Sequence, residues 1–172
     1  MILDLREFED FPASKKLAID PGLIKPLRDD VKEIMRVLLD LTIQKSGEEY
    51  YCHGKLTGQA MLECSRCLEA YPAELSEKTD FIICSANQLT SRDENVIDDE
   101  DYVYFRGVDL RVDLSAIVNQ VMQLSLPLKP LCSENCQGLC PHCGVNLNVS
   151  QCDCQKKEPD ARWQGLKDLL NQ

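Results

Sequence analysis

The sequence predicts an α+β protein: an antiparallel β-meander carrying one packed helix, then a cysteine-rich C-terminal tail that ends in a short helix. Three observations predict it. From Val37 onward apolar and polar residues alternate with period two, and the connections are short and turn-forming. One later stretch switches to a helical stripe. Eight of the ten cysteines are clustered, six of them in a tail with little other apolar bulk. The chain divides accordingly into a β-rich core domain, 1–126, and a metal-binding tail, 127–172.

The first segment, to about Pro26, reads as irregular apart from a short strand where Leu3 and Leu5 alternate with Asp4 and Arg6. Asp20-Pro21-Gly22 reads as a turn. Val37, Leu39, Leu41 and Ile43 then alternate with Leu38, Asp40, Thr42 and Gln44, the pattern of a half-buried strand. Lys45-Ser46-Gly47-Glu48 turns the chain. Residues 49–56 and 58–64 read as two further strands, with Gly54 and Gly58 marking bends. A fourth runs from about Leu68 to Cys84 with Tyr71, Ala73 and Leu75 on one face. Residues 93–101 form a strongly acidic loop, and Tyr102–Phe105 reads as a strand. Asp113 then caps a helix with Leu114, Ile117, Val118, Val121 and Leu124 on one stripe, ended by Pro127. The last stretch, Pro159–Gln172, reads as a helix with Trp163, Leu166, Leu169 and Leu170 on one face.

The cysteines carry the chemistry. Cys64-Ser65-Arg66-Cys67 falls at the tip of the hairpin into the fourth strand, where a tight turn aims both thiols at one point. Cys140-Pro141-His142-Cys143-Gly144 is a second such turn, in which Gly144 supplies a positive φ. Its nearest downstream partners, Cys152 and Cys154, close a four-thiolate site within fifteen residues. Cys132 and Cys136 are left to pair with Cys64 and Cys67, which ties the tail to the sheet. The expectation is two closed tetrahedral zinc sites per chain. Cys52 and Cys84 read as small core residues, and His53 and His142 as surface residues.

Other chemistry is constrained. Cys136-x3-Cys140-x2-Cys143 has the spacing of a radical S-adenosylmethionine cluster, but only 29 residues follow Cys143, too few for the barrel such enzymes need. A ferredoxin-like Fe–S centre or a reactive dithiol at Cys64 and Cys67 remains as the alternative reading. No zincin, nucleophile-elbow, phosphate-loop, dinucleotide-binding or zinc-deaminase pattern is present, so the chain does not read as an enzyme. A net charge of −10 opposes a nucleic-acid-coating role, with no DNA partner expected. Charges begin at Asp4, so no export signal is read, and no run reaches membrane-span length. A reducing cytoplasm is the expected compartment, and there spaced cysteines mean metal or redox chemistry more often than disulfides.

Taken together, several of these stretches resemble one family. They are Cys64-Ser65-Arg66-Cys67, Leu126-Pro127-Leu128 before Cys132, and Cys136-Gln137-Gly138-Leu139-Cys140-Pro141-His142-Cys143-Gly144 with Asn146-Leu147-Asn148. Asp160-Ala161-Arg162-Trp163 with Leu166 completes the set. The chain looks like the bacterial YceD family, the large-ribosomal-RNA accumulation proteins, over nearly its whole length. The family usually has proline where Ala161 stands here. The resemblance implies a role in synthesis, processing or stability of 23S ribosomal RNA and supplies no catalytic residue. With that pathway and an acidic chain, the expected partner is a pre-ribosome or a basic large-subunit ribosomal protein, and direct RNA contact stays open. An acidic chain can hold a basic partner by charge complementarity, with the 93–101 loop as the expected contact.

Overall fold

The computed structural model describes residues 1–25, 28–85, 102–105 and 110–154. Seven strands and one α-helix lie among them. The strands are β1 (Ile2–Asp4), β2 (Ala13–Ile19), β3 (Val31–Ser46), β4 (Glu49–Glu63), β5 (Ala70–Ser85), β6 (Tyr102–Phe105) and β7 (Arg111–Asp113). The helix, α1, is Ser115–Ser125. Five strands form one sheet in the order β2-β3-β4-β5-β6, and β1 pairs with β7 in a separate two-stranded ribbon. The expected α+β meander with one packed helix is the observed architecture; the expected final helix lies outside the described residues.

Period-two patterning explains which face is covered. Val37, Leu39, Leu41 and Ile43 of β3, Leu56 and Leu62 of β4, and Leu75, Phe81 and Ile83 of β5 are all buried. On this face lie Leu3, Val112, and Ile117, Val118, Val121 and Met122 of α1. No polar or charged side chain is buried among the described residues, so the core is held by apolar contact alone. Cys52 is part of it, and burial pushes its thiol up to about 12, as an inert core cysteine requires. Cys84 is buried as well.

Four local readings are corrected. The stretch read as irregular contains β2, whose inward side carries Lys15 in place of an apolar residue. The ammonium of that lysine lies over the Phe8 ring, 5.8 Å from its centroid, and reaches the Glu7 carboxylate. A charge on the inward side of an edge strand breaks the alternation that reveals a strand. Residues 49–63 form one continuous strand, and Gly54 and Gly58 do not interrupt it. They admit neighbours instead: a Cβ at Gly58 would stand 2.9 Å from the Arg36 carbonyl, next to a register shift between Ile34 and Arg36. β6, read only as a strand, joins β5 in parallel. The 16 residues between them are long enough for the crossover that parallel pairing needs. Third, Leu114 occupies the helix cap position, and Asp113, one residue earlier, accepts the Ser115 amide at 2.9 Å. Fourth, Met122 replaces Leu124 on the buried stripe, and Leu124 is exposed.

Candidate metal centre

The β4–β5 hairpin ends in the first cysteine turn. The Cys64 amide donates to the Glu69 carbonyl at 2.9 Å, and the Leu68 amide to the Cys64 carbonyl at 2.9 Å. The Arg66 amide points at Cys64 Sγ, 3.5 Å away. The second turn repeats this plan. The Cys140 amide donates to Val145 at 2.8 Å, the Gly144 amide to Cys140 at 2.9 Å, and the His142 amide faces Cys140 Sγ at 3.4 Å. In both turns the residue after the second cysteine has positive φ: 75° at Gly144 and 60° at Leu68. The two turns are thus the same knuckle, with glycine in one and leucine in the other.

The tail wraps back onto the hairpin. Ser65 donates its amide to the Pro130 carbonyl at 2.9 Å, and Leu139 donates to the Arg66 carbonyl at 3.1 Å. The Arg66 guanidinium reaches the Cys136 carbonyl at 2.9 Å. Gly138, at φ 75°, lies so close that a Cβ there would be 3.1 Å from the Arg66 carbonyl oxygen. These contacts bring Cys132 and Cys136 to Cys64 and Cys67. Sulfur–sulfur separations are 3.8 Å for Cys64 and Cys136 and 3.6 Å for Cys67 and Cys132. Cys140, Cys143, Cys152 and Cys154 form the second group, and within each group all four sulfurs lie within 4.8 Å of one another. Each group can hold a metal ion. Neither His53 nor His142 joins them; both are exposed.

The surroundings favour thiolate at Cys64 and Cys136 of the first group and Cys140 of the second, and resist it at others. Burial opposes ionisation of Cys64, but amides of Cys132, Cys67 and Arg66 outweigh it and bring the thiol down to about 6. The Cys143 and His142 amides bring Cys140 down to about 6. Cys132, chiefly against the Cys136 thiol, is pushed up to about 12, and Cys154, chiefly against Cys143, also to about 12. Crowded thiolates repel one another, so four can coexist only around a cation. A single ion with sulfur ligands at about 2.3 Å has tetrahedron edges of about 3.8 Å. The observed 3.8 and 3.6 Å separations fit that size. A polynuclear Fe–S cluster places its own atoms between the ligands and spreads them further.

Three residues to which the sequence reading assigned no role matter here. Arg66 clamps the tail, and Leu68 shapes the first knuckle. Asn148 donates from Nδ2 to Cys136 Sγ at 3.3 Å while its Oδ1 accepts the Gln137 amide at 2.7 Å. Asn148 lies between the two halves of the second group in sequence, yet it touches a ligand of the first. Its only sequence signal is the Asn146-Leu147-Asn148 triplet.

Comparison with known proteins matches residues 52–170 to the family described as large ribosomal RNA subunit accumulation protein YceD. An uncharacterized protein of Mycobacterium tuberculosis is 30% identical over 132 residues, covering 77% of this chain and 61% of that one. The chloroplastic large ribosomal RNA subunit accumulation protein YCED homolog 1 of Arabidopsis thaliana is 26% identical over 177 residues, covering 97% and 52%. Bacillus subtilis YlbN is 26% identical over 149 residues, covering 85% and 81%. The chain thus spans about three fifths or less of the length of the first two of these relatives. No solved structure matches it.

Proposed function

Because the chain belongs to the YceD family of large ribosomal RNA subunit accumulation proteins, we propose that it supports synthesis, processing or stability of 23S ribosomal RNA as a zinc-stabilised binding module. The observation that carries this is the family match over 52–170, a span that includes all eight clustered cysteines. The geometry supports the manner. Each sulfur group has the size of a mononuclear tetrahedral site, and zinc suits four thiolates in a reducing compartment such as the cytoplasm. Cys64, Cys67, Cys132 and Cys136 would hold one ion, and Cys140, Cys143, Cys152 and Cys154 the other. The ions act as scaffold: they join the tail, 127–172, to the β-rich body, 1–126.

The partner we propose is a pre-ribosome or a basic large-subunit ribosomal protein, which the charge of −10 would attract. The acidic 93–101 segment, the first candidate contact, lies outside the described residues. Binding, not catalysis, is the mode proposed: four thiolates would close each metal site and leave no open position for a substrate. No helix among the described residues is long and apolar enough to cross a membrane. Depletion of the protein should lower 23S RNA selectively over 16S RNA. Equal loss of both, or loss of neither, defeats the large-subunit assignment. Stoichiometric iron in the purified protein would sink the zinc reading.

A further inference from the structure

We infer that the tail group is an oxidative modification site: a peroxide joins Cys143 to Cys154 and releases the metal there, while the hairpin group keeps its own. This rests on the metal reading above. The two groups have the same ligands but differ in access. In the hairpin group Cys64, Cys67 and Cys136 are buried and Cys132 alone is exposed. Tyr71, Leu131 and Leu139 pack around that group. In the tail group only Cys140 is buried; Cys143 and Cys154 are exposed and Cys152 is half-buried. An open depression of about 670 Å³, lined by Gln137, Leu147, Asn148, Gln151 and Cys152, reaches its side.

One exposed thiolate is not enough to make a site labile, since Cys132 is exposed too. Disulfide formation needs two reachable sulfurs and a backbone free to bring them to about 2.05 Å. In the hairpin group the sulfurs near Cys132 are buried. In the tail group two exposed sulfurs lie within 4.8 Å, and residues 151–154 carry no regular secondary structure to resist the shift. The chemistry balances with hydrogen peroxide as oxidant. The Cys143 thiolate attacks one peroxide oxygen, the O–O bond breaks, and a sulfenic acid and hydroxide form. The Cys154 thiolate then attacks that sulfur and expels the second hydroxide. Two thiolates lose two electrons, the peroxide gains them, and two protons complete two waters. The metal, left with two thiolates, leaves to solvent. Asn148 lies on the segment between the two halves of this group, so opening it loosens the Asn148 contacts to the Gln137 amide and to Cys136.

The test uses the full chain carrying two zinc equivalents by elemental analysis. It is titrated with hydrogen peroxide while a chromophoric chelator reads zinc release. The expected result is early loss of one equivalent, a Cys143–Cys154 disulfide by peptide mapping, and faster hydrogen exchange at the Gln137 amide. Thiol reductant plus zinc should reverse all three. Release of both equivalents at one rate overturns the inference, as does a disulfide within the hairpin group or zinc retention in a protein whose tail thiols have oxidised. A purified chain without metal overturns the metal reading itself, a distinguishable failure.

Discussion

Leu68 is the residue whose conformation is least expected from its type. It holds φ 60° at the knuckle position that Gly144 fills in the second turn, and its side chain is 57% exposed. A left-handed conformation costs an L-residue about 1–2 kcal/mol, and an exposed leucine recovers little of that by burial. Glycine adopts it freely but loses more chain entropy on folding. Leu68→Gly should therefore stabilise the protein by roughly 0.5 kcal/mol, whereas Gly144→Leu should destabilise it by about 1 kcal/mol. Denaturation midpoints of the two metal-loaded variants check this. A loss of stability in Leu68→Gly would mean that the leucine makes a contact worth more than its strain.

At the level of elements, the β4–β5 hairpin and the tail depend on each other through Cys64. A tail with few apolar residues cannot order itself by burial, and a structural zinc supplies roughly 10–16 kcal/mol of apparent binding energy. In Cys64→Ser the amides of Ser65 and Leu139, which bond across the junction, should exchange faster, and 127–136 should loosen. The Gly144 amide, bonded inside its own knuckle, should stay protected. Early exchange at 140–145 with continued protection of 130–136 would show that the sulfurs are shared differently. The same junction explains Gly138: its residue type follows from a backbone passing 3.1 Å from where a Cβ would sit, a relation between segments about 70 residues apart.

Across the whole molecule, charge decides what it can approach. The formal net charge is −10 with neutral thiols; the proposed two zinc ions would add +4 and eight thiolates −8, which would make −14. Phosphate contacts by Lys and Arg supply most non-specific RNA affinity. The described basic side chains are in part already engaged, as Arg66 is with the tail and Arg28 with Asp30. Purified protein should therefore bind naked ribosomal RNA poorly at physiological salt. Submicromolar affinity independent of RNA length, in a shift assay, would contradict this and move the contact from protein to RNA.

Much of this protein is written locally. Alternation in 37–43 needs no other part of the chain to declare a strand, because side chains on a pleat alternate faces whatever pairs with them. The two cysteine turns are likewise legible, since a CxxC spacing with its turn residues aims its sulfurs by backbone geometry alone. The helix stripe was legible in outline but not at its edge, where packing chose Met122 over Leu124. β2 was hidden because an inward lysine is explained only by the Phe8 and Glu7 that receive it. The parallel β6, the unbroken β4 and the Asn148 bond to Cys136 also belong to the tertiary structure. Each is a contact between residues distant in sequence or a space left by one segment for another, and no local propensity encodes either.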